Sequence, residues 1–329
     1  AVFNRDNQTL QQTMKHITTF GDSIMGGIVL DHTNISTAPR YTLLDNSFVA
    51  RCASQLGVEI KNHGRFGSTT RHGLREVERW REQVSHSDFV VMEFGGNDCD
   101  HHWEEIARNP EGEHQPVTPL ASFAAQYHEL VAGIQRLGST PVILSLPPII
   151  SERYFANFSR TMTHTERENV LRWLGGCVEN ITRWHEMYNL ELFKLANLLK
   201  TPIIDITSPF LRDRHHSNLF CDDGIHPNAA GHYLIFQAFS KVLGIYDEKL
   251  ALYRMDYEDL IYGSLWSDAT DGIDLSAAKD VELNTDADKT EMNGKMPDAP
   301  KGTELLTWLD FNAQNGYFDG TGNTTVDLT

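Results

Sequence analysis

Apolar positions in this chain fall into short runs separated by longer amphipathic stretches. The runs at 17–20, 58–60, 89–94, 141–146 and 202–206 are too short for core helices and have the continuous apolar character of buried parallel strands. Between them, 47–56, 73–84, 122–137 and 165–199 carry helical spacing. The last of these opens on Thr165-Glu166-Arg167-Glu168, which reads as a capping box, and Gly175-Gly176 is expected to break or bend it. Strands alternating with helices predict a three-layer α/β domain around a parallel sheet. In such sheets ligands bind beyond the carboxyl ends of the strands. The polar motifs of this chain stand at those ends.

After Tyr246 the pattern changes. Residues 267–301 are rich in Asp, Lys, Asn, Gly and Pro and read as an acidic linker. Apolar residues return near the end, in Leu305, Leu306, Trp308, Leu309, Phe311, Tyr317 and Phe318. The expected organisation is an extension over 1–13, a catalytic domain over 14–246 and an acidic C-terminal extension over 247–329. The final segment is expected to pack on the main domain or on a second copy of it. Its Trp308-Leu309-Asp310-Phe311 and Gly316-Tyr317-Phe318 strings also look faintly like the opening strands of a lectin-like β-sandwich, which would make the chain a fragment of a carbohydrate-binding protein.

Charge narrows the partners. The chain of 329 residues has a formal charge of −17. Residues 247–329 hold 18 Asp/Glu against 6 Lys/Arg, a net −12, so the acidity belongs mainly to the extension. A nucleic-acid backbone is a poor partner for such a surface. No run of eighteen apolar residues is present, so neither a membrane span nor a membrane partner is expected. Cys52, Cys99, Cys177 and Cys221 match no disulfide framework or Cys-x-x-Cys pattern and read as reduced thiols. Residues 1–8 lack the basic and apolar regions of a secretory signal, which points to the cytoplasm, although a leader removed before Ala1 would fit secretion. Met14 reads as a natural start running into the first strand.

Chemistry concentrates in a few strings. Phe20-Gly21-Asp22-Ser23-Ile24 puts a hydroxyl on a strand-to-loop turn, where a base is needed to make it nucleophilic. Asp223-Gly224-Ile225-His226-Pro227-Asn228 lets one tight turn hold a carboxylate against an imidazole, which fixes the tautomer of a general base. Asn62-His63-Gly64-Arg65-Phe66-Gly67-Ser68-Thr69 and Phe94-Gly95-Gly96-Asn97-Asp98 offer donors for a developing oxyanion, a backbone N–H at Gly67 and the side-chain amide of Asn97.

Taken in order, Ser23, Gly67, Asn97, Asp223 and His226 resemble the signature of the SGNH/GDSL family of serine esterases, over about residues 15–245. Gly-Gly-Asn-Asp and Asp-Gly-Ile-His-Pro-Asn are the specific pieces. Ile24 stands where leucine is usual. The resemblance implies a flavodoxin-like α/β/α sandwich of the SGNH-hydrolase type. It also implies a Ser23–His226–Asp223 triad, an oxyanion hole from the Ser23 and Gly67 N–H groups and the Asn97 amide, and two-step acyl transfer without metal or cofactor.

Asp98-Cys99-Asp100-His101-His102, His215-His216 and Asp222-Asp223 form a competing metal-ligand constellation, but neighbouring residues rarely converge on one ion. Asp22, Phe66, His101 and Trp103 are the candidates for substrate contact, with Arg65, His102, Tyr154 and Phe155 at the rim. No strongly apolar amphipathic stretch flanks the motifs, and Ser68, Thr69, Thr70, Arg71, Asp100, His101, His102 and Trp103 follow Gly67 and Asn97. Polar donors beside an aromatic plane suit a sugar ring. The expected substrate is therefore a small ester, above all the acetyl ester of a neutral carbohydrate, with a lysophospholipid or a thioester as the alternative.

Overall fold

The computed structural model describes residues 15–31 and 40–250, with side chains placed to residue 240. The 1–13 extension, nearly all of the acidic 247–329 extension and the lectin-like strings lie outside the described residues. The elements in chain order begin with β1 (Lys15–Gly21), β2 (Ile28–Leu30), β3 (Tyr41–Leu43), α1 (Phe48–Gln55) and β4 (Val58–Gly64). Next come α2 (Thr70–Arg79), α3 (Arg81–Ser85), β5 (Phe89–Glu93), α4 (Trp103–Arg108), α5 (Leu120–Arg136) and β6 (Thr140–Leu144). The series ends with α6 (Ser151–Phe158), α7 (His164–Trp173), α8 (Asn180–Leu199), β7 (Ile203–Ile204), α9 (Thr207–Arg212) and α10 (Ala229–Leu250).

All five strands predicted from the apolar runs form one parallel sheet in the order β4-β1-β5-β6-β7. Counted within that sheet the order is 2-1-3-4-5, the flavodoxin-like arrangement, whose switch point falls between β1 and β5. One sheet face packs Ile17, Val91, Val142 and Leu144 against Phe48 of α1 and Ile235 and Phe239 of α10. The other packs Phe20, Val90 and Met92 against Val77 of α2, Tyr127 of α5 and Leu192 of α8. That is the three-layer sandwich. A third cluster, Trp103, Ile106, Met162, Val170, Leu174 and Ile181, joins α4, α6, α7 and the start of α8 into a cap beside the strand ends.

Side-chain caps mark the starts of α1, α2 and α7. Ser47 caps α1 by accepting from the Ala50 N–H at 3.3 Å, as its position before an apolar helix predicts. Two expectations change, in the 73–84 helix and in the capping box before Glu166. The helix expected over 73–84 starts at Thr70 and breaks at Trp80 into α2 and α3. The stretch expected over 165–199 breaks around Gly175-Gly176, as expected, into two helices. Its capping box is set two residues earlier: Thr163 accepts from the Glu166 N–H at 3.2 Å, while Glu166 accepts from the Thr163 N–H at 2.8 Å. The antiparallel β2–β3 pair was not expected, because neither of its three-residue strands is long enough to show a period.

Candidate active site

Register brings the motifs together. Gly21 of β1 pairs with Gly64 of β4 on one side and with Glu93 of β5 on the other. The chain therefore leaves three neighbouring strands at one level, and the turns carrying Asp22-Ser23, Arg65-Phe66-Gly67 and Gly95-Gly96-Asn97 emerge side by side at the switch point. Gly67 has a φ of +73°, a left-handed conformation that disfavours any residue with a Cβ. The Ser23 and Gly67 N–H groups have no acceptor among the described residues.

The acid and imidazole arrive from the loop before α10. Phe220 and Pro227 form an antiparallel bridge, and the Cys221 N–H donates to the His226 carbonyl at 2.8 Å, which closes the loop on itself. Gly224 lies at φ +78°, and a Cβ there would come within 2.5 Å of the Ile150 carbonyl, so α6 packs directly on bare backbone. Arg153 of α6 donates to the carbonyls of Ser217 at 2.7 Å and Phe220 at 3.2 Å. The loop is pinned at both ends.

Within it, His226 Nε2 is 2.8 Å from Ser23 Oγ, and His226 Nδ1 is 2.6 Å from Asp223 Oδ2. The other Asp223 oxygen accepts the Ile225 and His226 N–H groups, each at 3.1 Å. All three side chains are buried. Burial raises the Asp223 carboxyl, but the hydrogen bond and charge of His226 outweigh it and hold the group below the usual carboxylate range. An ionised Asp223 fixes the His226 proton on Nδ1 and leaves Nε2 facing the serine as an acceptor.

Asn97 is held more tightly than sequence suggested. Its amide donates to Asp22 Oδ2 and to the Ser68 carbonyl, both at 3.1 Å. Ser68, Thr69 and Thr70 are buried, and Thr70 donates through its N–H and hydroxyl to Asp98. These residues brace the loops; they are not the substrate donors that their place after Gly67 suggested.

A cavity of about 560 Å³ opens beside Ser23 and His226. Asp22, His101 and Trp103 line it, as does the rim candidate Tyr154. Phe66 is not among its lining residues. It is 54% exposed and stacks on the His226 ring with centroids 6.1 Å apart. Arg65 and Phe155 also lie off the lining, and His102 borders a separate shallow depression with Glu104, Glu105 and Arg108. The metal-ligand constellation does not converge. Asp98 is committed to Thr70, and Asp100 accepts from Trp103 Nε1 at 2.8 Å and the Tyr154 hydroxyl at 2.7 Å. Among the described residues, no three His, Cys, Asp or Glu side chains are grouped to hold an ion.

Four contributors escaped the sequence reading. Tyr41 packs on His226 at 5.1 Å between ring centroids, close to Asp223. Trp173 and Trp184, from α7 and α8, complete the cavity wall with Trp103. The fourth is Glu93, whose signal was visible as the one charge in the apolar run 89–94.

The model of the GDSL-like lipase/acylhydrolase family matches residues 19–234. No curated protein matches the chain. Among solved structures, a lipase/acylhydrolase from Enterococcus faecalis is 18% identical with a TM-score of 0.44, over 69% of this chain and 93% of that one. An acetylxylan esterase from Geobacillus stearothermophilus is 20% identical with a TM-score of 0.44, over 68% and 92%.

Proposed function

The chain belongs to the GDSL-like lipase/acylhydrolase family and is thus an ester hydrolase, and from that premise we propose that it removes short acyl groups, acetyl foremost, from a carbohydrate through a Ser23–His226–Asp223 triad. The observation that carries the mechanism is the unbroken chain of hydrogen bonds from Ser23 Oγ through His226 to Asp223.

Ser23 Oγ attacks the ester carbonyl while His226 Nε2 takes its proton. Asp223 stabilises the imidazolium that results. The carbonyl oxygen becomes an oxyanion facing the Ser23 and Gly67 N–H groups, and the Asn97 amide joins them by turning one of its two hydrogens away from Asp22 or Ser68. When the intermediate collapses, the C–O bond to the alcohol breaks, and His226 returns the proton to the departing oxygen. Water then attacks the acyl-enzyme, giving its proton to His226. Collapse of the second intermediate frees the acid and restores the Ser23 hydroxyl.

Substrate class rests on the cavity. Trp103, Trp173 and Trp184 offer flat apolar faces, and His101, Asn180 and Arg183 stand among them as polar partners. Aromatic planes interleaved with donors and acceptors fit the alternating C–H and O–H faces of a sugar ring. Leu146, Ile149 and Ile181 line the same cavity and favour the second reading, a longer acyl chain in that space. Rates on p-nitrophenyl acetate, butyrate, octanoate and palmitate separate the two. The first reading expects a steep fall beyond butyrate and acetate release from acetylated neutral oligosaccharides. A maximum at octanoate or above assigns the cavity to the acyl chain. A fluorophosphonate probe should label Ser23 alone.

A further inference from the structure

Glu93 closes the central strand β5 and is fully buried. Its Oε2 accepts the Asp22 N–H at 3.4 Å, and the Asp22 and Glu93 carboxyls lie within reach of a hydrogen bond to each other. Two carboxyl groups can share a hydrogen bond only if one of them is protonated. The surroundings say which. Asp22 Oδ1 accepts the Ile24 N–H at 2.8 Å and Oδ2 accepts the Asn97 amide, so Asp22 is dressed as a carboxylate. Glu93 Oε1 meets no donor among the described residues, which is costly for a buried charge and acceptable for an acid.

We propose that Glu93 is a positioning residue for the oxyanion site: its carboxyl donates to Asp22, and Asp22 in turn holds the Asn97 amide and the Ile24 N–H of the turn that carries Ser23. Asp22 thereby becomes an orienting group, although it also lines the cavity. The shared proton has a second consequence. The carboxyl pair carries one negative charge next to a site where another develops in the reaction, and loss of the proton would add a further charge.

The groups facing Glu93 keep the proton in place. Asp22 lies on the β1 turn and Tyr127 on α5, with its hydroxyl donating to the Met92 carbonyl, while Asp98 on the turn after β5 faces Asp22. The imidazole of His226 reaches this group through Asp22. Burial first, and then the charge of Asp22, raise Glu93 well above the usual carboxylate range. A raised acid keeps its proton to higher pH than an ordinary carboxyl and ionises as pH rises through its folded value, so kcat is expected to fall on the alkaline side.

The test compares the full-length parent with Glu93→Gln, which keeps a donor toward Asp22, and Glu93→Met, which fills the space without one. With p-nitrophenyl acetate, Glu93→Met should lower kcat roughly 10- to 100-fold with KM within about threefold, part of the loss seen on removing an oxyanion donor. Glu93→Gln should recover kcat to within about fivefold of the parent and flatten the alkaline limb. The parent-minus-Gln infrared difference spectrum at neutral pH should show the carbonyl stretch of a protonated carboxyl. Equal losses in both variants, with melting temperatures unchanged, would overturn the assignment, as would a carboxylate band in place of the acid. The inference builds on the esterase reading, yet the two fail separately. A parent inactive on every ester defeats that reading, while the infrared band still decides the state of Glu93.

Discussion

The two walls of the cavity are made by different means. One consists of the turns that follow β1 and β5, with the His226 loop beside them. There a polar group is fixed by short bonds to neighbouring backbone, as Asp223 is by the Ile225 and His226 N–H groups and Asn97 by the Ser68 carbonyl. The other wall consists of α4, α6, α7 and α8, where Trp103 stacks on Phe158 at 4.5 Å and meets Trp173 edge-on at 6.0 Å. The first wall is rigid because the sheet register sets it. The second is held by packing among side chains far apart in sequence. Chemistry placed on the first and selectivity on the second can vary independently, and substitutions on the two walls should therefore divide between kcat and KM.

The largest effect tests the first wall. Ser23→Ala should lower kcat by roughly 10³-fold or more while leaving the melting temperature unchanged, since the hydroxyl is a minor part of the packing. Full activity in that variant would move the nucleophile elsewhere. Asp223→Asn should cost about as much, on the order of 10³–10⁴ in kcat, because an amide no longer fixes the His226 tautomer. Asp223 is held below the usual carboxylate range, so its own titration should leave kcat untouched above about pH 4. A pH profile of kcat from 4 upward checks this, and an acid limb abolished by Asp223→Asn would contradict it.

The same division explains what could be read in the sequence. Ser23, Gly67, Asn97, Asp223 and His226 were legible because each lies within a short string at a strand end, where local chain geometry suffices to place it. The five strands were legible because burial on both sheet faces leaves continuous apolar runs. Trp173 and Trp184 were not, since nothing in a helical tryptophan says whether it faces a core or a cavity. Tyr41 was hidden in a three-residue strand. Thr69 and Thr70 misled, because hydroxyls beside a candidate site look like substrate donors until their buried partners, His72 and Asp98, are seen. Glu93 lay in plain view as a charge within a buried strand, but its partner comes from another strand, and sequence spacing does not show strand register.

A smaller effect tests the second wall. Trp173→Ala and Trp184→Ala should raise KM for acetylated oligosaccharides about tenfold, with kcat within about threefold, because an aromatic face binds ground and transition states alike. On p-nitrophenyl acetate the same variants should change little. A loss confined to kcat would show that the aromatic wall positions the reacting ester, and the separation of the two walls would fail.

The smallest effect concerns His185, which lies on the aromatic wall and is buried. Burial alone lowers it to about 4, so it is neutral in the folded protein. The unfolded chain binds a proton near the ordinary value while the folded chain does not, so this group costs stability as pH falls below about 6.5. Other buried groups titrate too, and the useful quantity is the difference between the parent and His185→Leu. That difference should shift against the parent by roughly 2 kcal/mol between pH 7.5 and pH 5, read from urea unfolding at the two pH values. A shift of the opposite sign would mean that His185 is charged in the folded state and paired, and the wall would then carry a fixed cation where the aromatic planes now imply a neutral one.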